Sequence, residues 1–186
     1  MKPVERSEIV DYVTYEEGRE DYRKRVLAEK APRRIHVGPH LTFLFETRET
    51  IRYQVQEMMR AERIVREADI LHELATYNDL LGGPGELGAT LLIELADPAA
   101  RDARLGAWLD LPRHLYMKLE DGSRAPARFD PRQVGDTRLS SVQYVKFATG
   151  GRVPVAVGCD HPDPELRHET VLTQEQRAAF ARDLAD

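Results

Sequence analysis

The segment from Leu41 to Leu95 constrains the fold of this chain more than any other. It contains an apolar strand pattern, a long helical pattern and then a second apolar strand pattern. Thr47 has the chemistry of a helix N-cap, and neither glycine nor proline occurs from there until Gly82. Helices of this length are unusual in small domains. The pattern therefore predicts a long helix packed against strands at the centre of the molecule.

The apolar periodicity of this helix changes side partway along its length. At about 100° per residue, Ile51, Met58 and Val65 share one stripe, whereas Ile70 and Leu74 lie on nearly the opposite side. The change falls within residues 66–69. Either the helix breaks or bends there, or one helix is covered on different sides along its length. We favour a break or bend.

Shorter patterns predict the remaining elements. Thr14 and Glu17 have capping-box spacing and predict a helix over about residues 15–30, and Thr173 with Gln176 predicts a closing helix. Residues 121–138 are predicted to form a loop. Runs of apolar, branched and aromatic residues predict six strands: Arg34 to Val37, Leu41 to Glu46, Leu87 to Leu95, His114 to Leu119, Ser141 to Phe147 and Val153 to Gly158.

The irregular order of helices and strands favours the α+β class. We predict a mainly antiparallel sheet packed against a long, bent helix, with further helices at the N- and C-terminal ends. A chain of 186 residues is long enough for one domain with a continuous core. We expect a single domain over residues 1–186, with an N-terminal helical segment at 1–32 and the core at 33–186.

Composition excludes several classes of function. The chain is 41% hydrophobic and 32% charged, which is typical of a soluble globular protein. A net charge of -5 argues against a nucleic-acid-binding role, since such proteins need a clustered basic surface. No stretch has the roughly 18 apolar residues of a membrane span. The only cysteine, Cys159, cannot form an intramolecular disulfide, so we expect a cytoplasmic protein.

Polar residues on the long helix indicate a candidate site. Glu62 falls on or near the stripe that should face the core, where an unpaired carboxylate carries a large desolvation cost. One explanation is an ion pair with an arginine of the same helix. The other is a metal site formed by Glu62, His72 and Glu73, with iron, manganese or zinc as the metal. Gln54 and Glu57, on the same helix, are predicted to contact a cofactor or small ligand.

A second group of polar residues follows a predicted strand near the C-terminus. Cys159, Asp160 and His161 together contain the ingredients of nucleophilic catalysis. Catalytic triads are assembled from distant segments, however, and three consecutive residues rarely converge. The alternative is a strand end followed by a polar turn, in which Asp160 hydrogen-bonds to the backbone.

Several motifs, in order along the chain, resemble the bacterial family called domain of unknown function 3501. They are Phe45-Glu46, Tyr53 to Met58, His72-Glu73-Leu74 with Tyr77-Asn78, Gly85 to Glu94, Ser141 to Tyr144 and Asp160-His161-Pro162. The resemblance covers the chain from about residue 33 onward. It implies a single-domain bacterial protein whose gene lies near those of rubrerythrin-like iron proteins and iron-sulfur oxidoreductases. It therefore implies a link to redox or oxidative-stress metabolism, with iron or iron-sulfur redox proteins as partners.

Three classes of function compete at this point. The first is an accessory protein that binds a metal or small ligand between the long helix and the sheet. The second is an acid/base enzyme that uses Glu57 or Glu62 with His72 or His161, because burial can raise a carboxylate pKa towards neutrality. The third is a structural adaptor or homo-oligomer whose polar helix face contacts another subunit.

Overall fold

The strands form one antiparallel sheet that curls into a nearly closed barrel. A computed structural model describes all residues from Met1 to Asp186. The strands are β1 (Arg34–Val37), β2 (Leu41–Phe45), β3 (Glu86–Ile93), β4 (Leu115–Lys118), β5 (Arg124–Arg128), β6 (Val142–Ala148), β7 (Ala156–Cys159) and β8 (His168–Val171). Their spatial order is β1-β2-β3-β6-β5-β4-β7-β8. Across the gap between the outer strands, the Thr170 hydroxyl donates to the His36 carbonyl oxygen at 2.7 Å.

Five helices surround the barrel. They are α1 (Tyr12–Lys30), α2 (Arg48–Glu62), α3 (Glu67–Asn78), α4 (Pro98–Ala107) and α5 (Gln174–Ala185). None combines the length and the apolar character that crossing a membrane requires.

The predicted sheet packed against one long, bent helix is wrong. Two separate helices, α2 and α3, occupy that segment, and Arg63 ends the first of them in the left-handed conformation, with φ of 53°. The physical reason lies in the change of apolar side. Ile51 and Met59 of α2 belong to the same buried cluster as Ile70 and Leu74 of α3. One straight helix would separate these side chains, so the chain turns between them.

Aromatic side chains cover opposite ends of the barrel interior. The Trp108 ring lies 5.6 Å from that of His40, which precedes β2, and the Phe180 ring lies 4.7 Å from that of Phe45, which ends β2. Both Trp108 and Phe180 belong to the main cluster of 24 buried apolar residues. The interior of the barrel is therefore a packed core, and chemistry must be sought on its outside.

Candidate metal centre

The pairing of β4 with β7 brings two distant polar segments together. Leu115 is the register partner of Cys159, and the backbone amide of Asp160 donates to the His114 carbonyl oxygen at 3.0 Å. Residues just before β4 therefore lie beside residues just after β7. A short 3-10 helix over Leu111–His114 precedes β4 and has Asp110 at its N-terminal end.

Three side chains converge at this point. The Nε2 atom of His161 lies 2.9 Å from Oδ1 of Asp110, and the Nε2 atom of His114 lies 3.2 Å from its Oδ2. One ligand-type atom from each of the three residues lies within 4.8 Å of the others. Neighbouring ligand atoms in a tetrahedral site with metal–ligand bonds of about 2.1 Å are about 3.4 Å apart. The two separations between Asp110 and the histidines are close to this value and the third stays within 4.8 Å, so small side-chain movements would form a coordination shell.

The hydrogen bonds of this cluster indicate which nitrogen of His161 carries the hydrogen and why the pKa of Asp110 is lowered. The Nδ1 atom of the buried His161 accepts the backbone N–H of Asp163 at 3.0 Å, so in a neutral ring Nε2 carries the hydrogen and donates to Asp110. This hydrogen bond, helped by that from His114 and opposed by burial, lowers the pKa of Asp110 below its ordinary value of 3.8.

His114 lies between two carboxylates. Its Nδ1 is 3.1 Å from Oδ1 of Asp160 and its Nε2 faces Asp110. A neutral imidazole has a single N–H, so one of these two contacts lacks a hydrogen. A proton or a metal ion at the Asp110 side would complete both contacts, so the cluster has the character of a cation site.

Outer contacts hold Asp160 in place. Arg124 donates to Oδ2 of Asp160 at 2.8 Å, and its guanidinium lies 3.8 Å above the centre of the Tyr116 ring. A side chain at Gly158 would place its Cβ atom 2.5 Å from the Tyr116 ring, so this glycine leaves the space that the ring occupies. Carboxylates that orient a metal-binding histidine in this way are a common feature of metal sites.

The structure separates Cys159 from its polar neighbours. Its side chain lies in the barrel core, where burial raises the pKa of the thiol to about 11. At neutral pH the group is therefore a thiol and not the nucleophilic thiolate. His161 instead reaches Asp110, so the consecutive Cys159, Asp160 and His161 do not form one catalytic group.

The residues predicted from the long helix lie in different places. Glu57 accepts hydrogen bonds from the Tyr15 hydroxyl at 2.7 Å and from Arg19 at 2.7 and 2.9 Å, which ties α2 to α1. Gln54 is half-buried near Tyr77 of α3, and a cofactor or small ligand bound by Gln54 and Glu57 stays a prediction.

The three predicted metal ligands line one shallow cavity of about 420 Å³ at the turn between α2 and α3. Glu62 and His72 are exposed, and Glu73 is half-buried. The expectation that Glu62 faces the core is therefore wrong, since the helix ends at this residue and the side chain reaches solvent. A metal bound by Glu62, His72 and Glu73 stays a prediction.

Asp110 and His114 were not predicted as site residues. His114 appeared only as the start of a strand, and Asp110 precedes it by one helical turn. The spacing of four residues was an available signal. The contact between His161 and Asp110 could not be predicted from residue spacing, because the two residues are 51 positions apart and strand pairing brings them together.

The contacts of Glu57 lead to a stability prediction. The hydrogen bond from Arg19, opposed by burial and helped by Tyr15, lowers the pKa of Glu57 below its ordinary value of 4.5. We expect Glu57→Gln to lower the free energy of unfolding at neutral pH by about 1 kcal/mol. Because the pKa is lowered in the folded state, this stabilisation is present above pH 4.5 and is lost as the pH falls through the folded-state pKa.

Urea denaturation at neutral and acidic pH measures this difference. Glu20→Gln, which changes an exposed carboxylate on α1, is the matched control and should have little effect at either pH. An equal loss for Glu57→Gln at both pH values would contradict the ionic origin of the stabilisation.

Comparisons with known proteins agree with the resemblance noted in the sequence. The profile of the family described as "Protein of unknown function (DUF3501)" matches residues 3–184. A crystal structure of a novel protein of unknown function from Burkholderia pseudomallei is 29% identical, with a TM-score of 0.88, and the match covers 98% of this chain and 100% of the other. A search of curated proteins gave no significant match. Because the family profile spans nearly the whole chain, this protein belongs to the DUF3501 family.

Proposed function

We propose that this protein is a cytoplasmic accessory protein that binds a divalent transition-metal ion through Asp110, His114 and His161. The observation that carries the proposal is the convergence of one carboxylate and two imidazoles, with ligand-type atoms within 4.8 Å of one another. Two histidines and one carboxylate form a donor set suited to Fe(II), and zinc and manganese also accept such ligands.

The two histidines differ in how well they suit a metal. His114 can bind a metal without rearrangement, since its Nε2 faces the site while its Nδ1 can donate a hydrogen bond to Asp160. His161 must change on binding, because a metal at Nε2 replaces the hydrogen that now points to Asp110. Its Nδ1 also accepts the Asp163 amide where a metal-bound imidazole normally donates. We therefore expect Asp110 and His114 to be the principal ligands and His161 the weaker third.

The position of the cluster favours binding over catalysis. The Asp110 side chain is 54% exposed and that of His114 is 26% exposed, so an ion can enter and leave without an opening motion. An iron-loaded form would support the link to redox metabolism and to iron or iron-sulfur partners that the resemblance implies.

Calorimetric titration of the metal-free protein with Zn(II), and with Fe(II) under anaerobic conditions, tests the proposal. We expect one ion per chain, and His114→Ala should weaken binding by about 100-fold, as the loss of a principal ligand or of its orienting shell does. Asp160→Asn should weaken binding by about 10-fold through the orientation of His114. His72→Ala is the matched control and should bind as the unmodified protein does.

Two results would overturn the proposal. One is the lack of a stoichiometric site for either ion. The other is loss of binding in His72→Ala with retention in His114→Ala, which would assign the metal to the cavity lined by Glu62, His72 and Glu73. Thermal unfolding of each variant separates a lost ligand from a lost fold.

A further inference from the structure

Another candidate site lies between the C-terminal end of α3 and the outer faces of β5 and β6. It is a cavity of about 460 Å³, in the range of small-molecule sites. Its floor is formed by β6, and its walls by the end of α3 and by the segment that follows β5. None of the proposed metal ligands lines it.

Two cations in this cavity lie directly opposite each other. Arg128 of β5 is the register partner of Lys146 of β6, and both line the cavity. Like charges in this arrangement destabilise a sheet unless anions compensate them. Arg128 has such an anion, since Glu86 lies 2.8 Å away.

Lys146 has no comparable partner. Its side chain is only 30% exposed, and the carboxylate that forms its ion pair, that of Asp79, is 3.9 Å away and 89% exposed. The other acidic residue of the cavity, Asp130, is engaged by Arg132 at 2.8 Å. By contrast, Lys118 on β4 has a close ion pair with Glu169 at 3.0 Å. A lysine whose side chain is mostly covered and whose nearest carboxylate is 3.9 Å away can bind an anionic ligand without first breaking a close ion pair.

The cavity also offers a flat apolar surface beside this charge. Tyr144 is 41% exposed and, two positions before Lys146 on β6, it faces the same side of the sheet. The side-chain amide of Gln133 forms two hydrogen bonds with the backbone of Tyr144. Its amide nitrogen donates to the Tyr144 carbonyl oxygen at 3.1 Å, and its oxygen accepts the Tyr144 N–H at 2.7 Å. The aromatic surface is therefore attached to a well-supported strand.

We propose that this cavity binds a small planar organic anion, with its carboxylate at Lys146 and its ring against Tyr144. A planar ring gains area on the exposed aromatic side chain, and the carboxylate supplies the charge that Lys146 lacks. The site is independent of the proposed metal centre, and either can hold without the other.

Titration of the intact protein with benzoate, followed by NMR shifts of the cavity residues, tests this inference. We expect saturable binding of benzoate, with binding of benzyl alcohol and of acetate at least 10-fold weaker because each lacks one of the two recognised features. Lys146→Gln and Tyr144→Ala should each weaken benzoate binding by about 10-fold, a factor equal to 1.4 kcal/mol. Lys118→Gln makes the same chemical change outside the cavity and should leave benzoate binding unchanged.

Three results would overturn the inference. They are no saturable binding of benzoate, equal binding of benzoate and benzyl alcohol, and benzoate binding that persists unchanged in Lys146→Gln. Both substituted side chains lie on the outer face of β6, and thermal unfolding verifies that each variant is folded. Tyr144→Ala provides a second test should Lys146→Gln be unstable.

Discussion

Replacement of Asp183 by alanine is expected to lower the free energy of unfolding by about 3 kcal/mol, because the buried guanidinium of Arg33 then keeps only the more exposed carboxylate of Glu29, 2.9 Å away, as a counter-ion. Arg33 and Asp183 are 3% and 7% exposed. The carboxylate accepts two parallel hydrogen bonds from Arg33, at 2.8 and 2.7 Å. The pair joins the short 3-10 helix Ala31–Arg33, which follows α1, to α5 across 150 positions of the chain, so its loss should also loosen the closing helix.

Chemical denaturation at neutral pH measures this effect. Asp186→Ala, a change of an exposed carboxylate after the same helix, is the control and should alter stability little. The double variant Arg33→Met with Asp183→Leu should recover much of the loss, since no buried charge remains. A loss below about 1 kcal/mol in Asp183→Ala would mean that the pair behaves as a surface ion pair does.

Gly88→Ala is expected to destabilise the protein by about 3 kcal/mol, at the upper end of the range for overpacked positions. Gly88 lies on β3 where the chain leaving α3 crosses the outer face of the sheet. A Cβ atom there would overlap the carbonyl oxygen of Leu80 and lie 2.9 Å from the backbone nitrogen of Gly82. Both contacts involve backbone atoms, so no rotation of a side chain can relieve them, and the α3–β3 connection must move.

Gly18→Ala is the matched control for this change. Gly18 lies exposed on α1, and a Cβ atom there would meet nothing within 4 Å. Alanine should stabilise the helix at this position by about 0.5–1 kcal/mol. Urea denaturation of the two variants should therefore shift the midpoint in opposite directions, and equal shifts would contradict the assignment of Gly88 to a close backbone contact.

Local chemistry accounts for the elements that sequence reasoning placed well. Thr47 caps α2 by accepting the backbone N–H of Thr50, and Thr173 caps α5 by accepting that of Gln176, as predicted. The predicted cap at Thr14 is wrong, since Asp11 caps α1, which begins at Tyr12. The strand at Arg34–Val37 has the predicted bounds. These features depend on residues three or four positions apart, and so they can be recognised from short segments.

Two of the eight strands, β5 and β8, were not predicted, and β5 shows the limit of such local signals. Residues 121–138 were expected to form a loop, yet Arg124–Arg128 form β5 between β4 and β6. This segment contains Pro126 between two arginines and lacks the branched and aromatic residues of typical strands. Its conformation comes from the two neighbouring strands that it pairs with, and pairing partners cannot be identified from its own residues.

Local sequence signals were sufficient to predict the caps of α2 and α5, six of the eight strands and the resemblance of the chain to its family. Tertiary contacts, by contrast, curl the sheet into a barrel, pack the two central helices against each other and bring His161 to Asp110 and His114. The physical reason is the range of the interactions. Caps and turns act within a few residues, whereas barrel closure and the convergence of the metal ligands depend on the register between strands that are far apart in the chain.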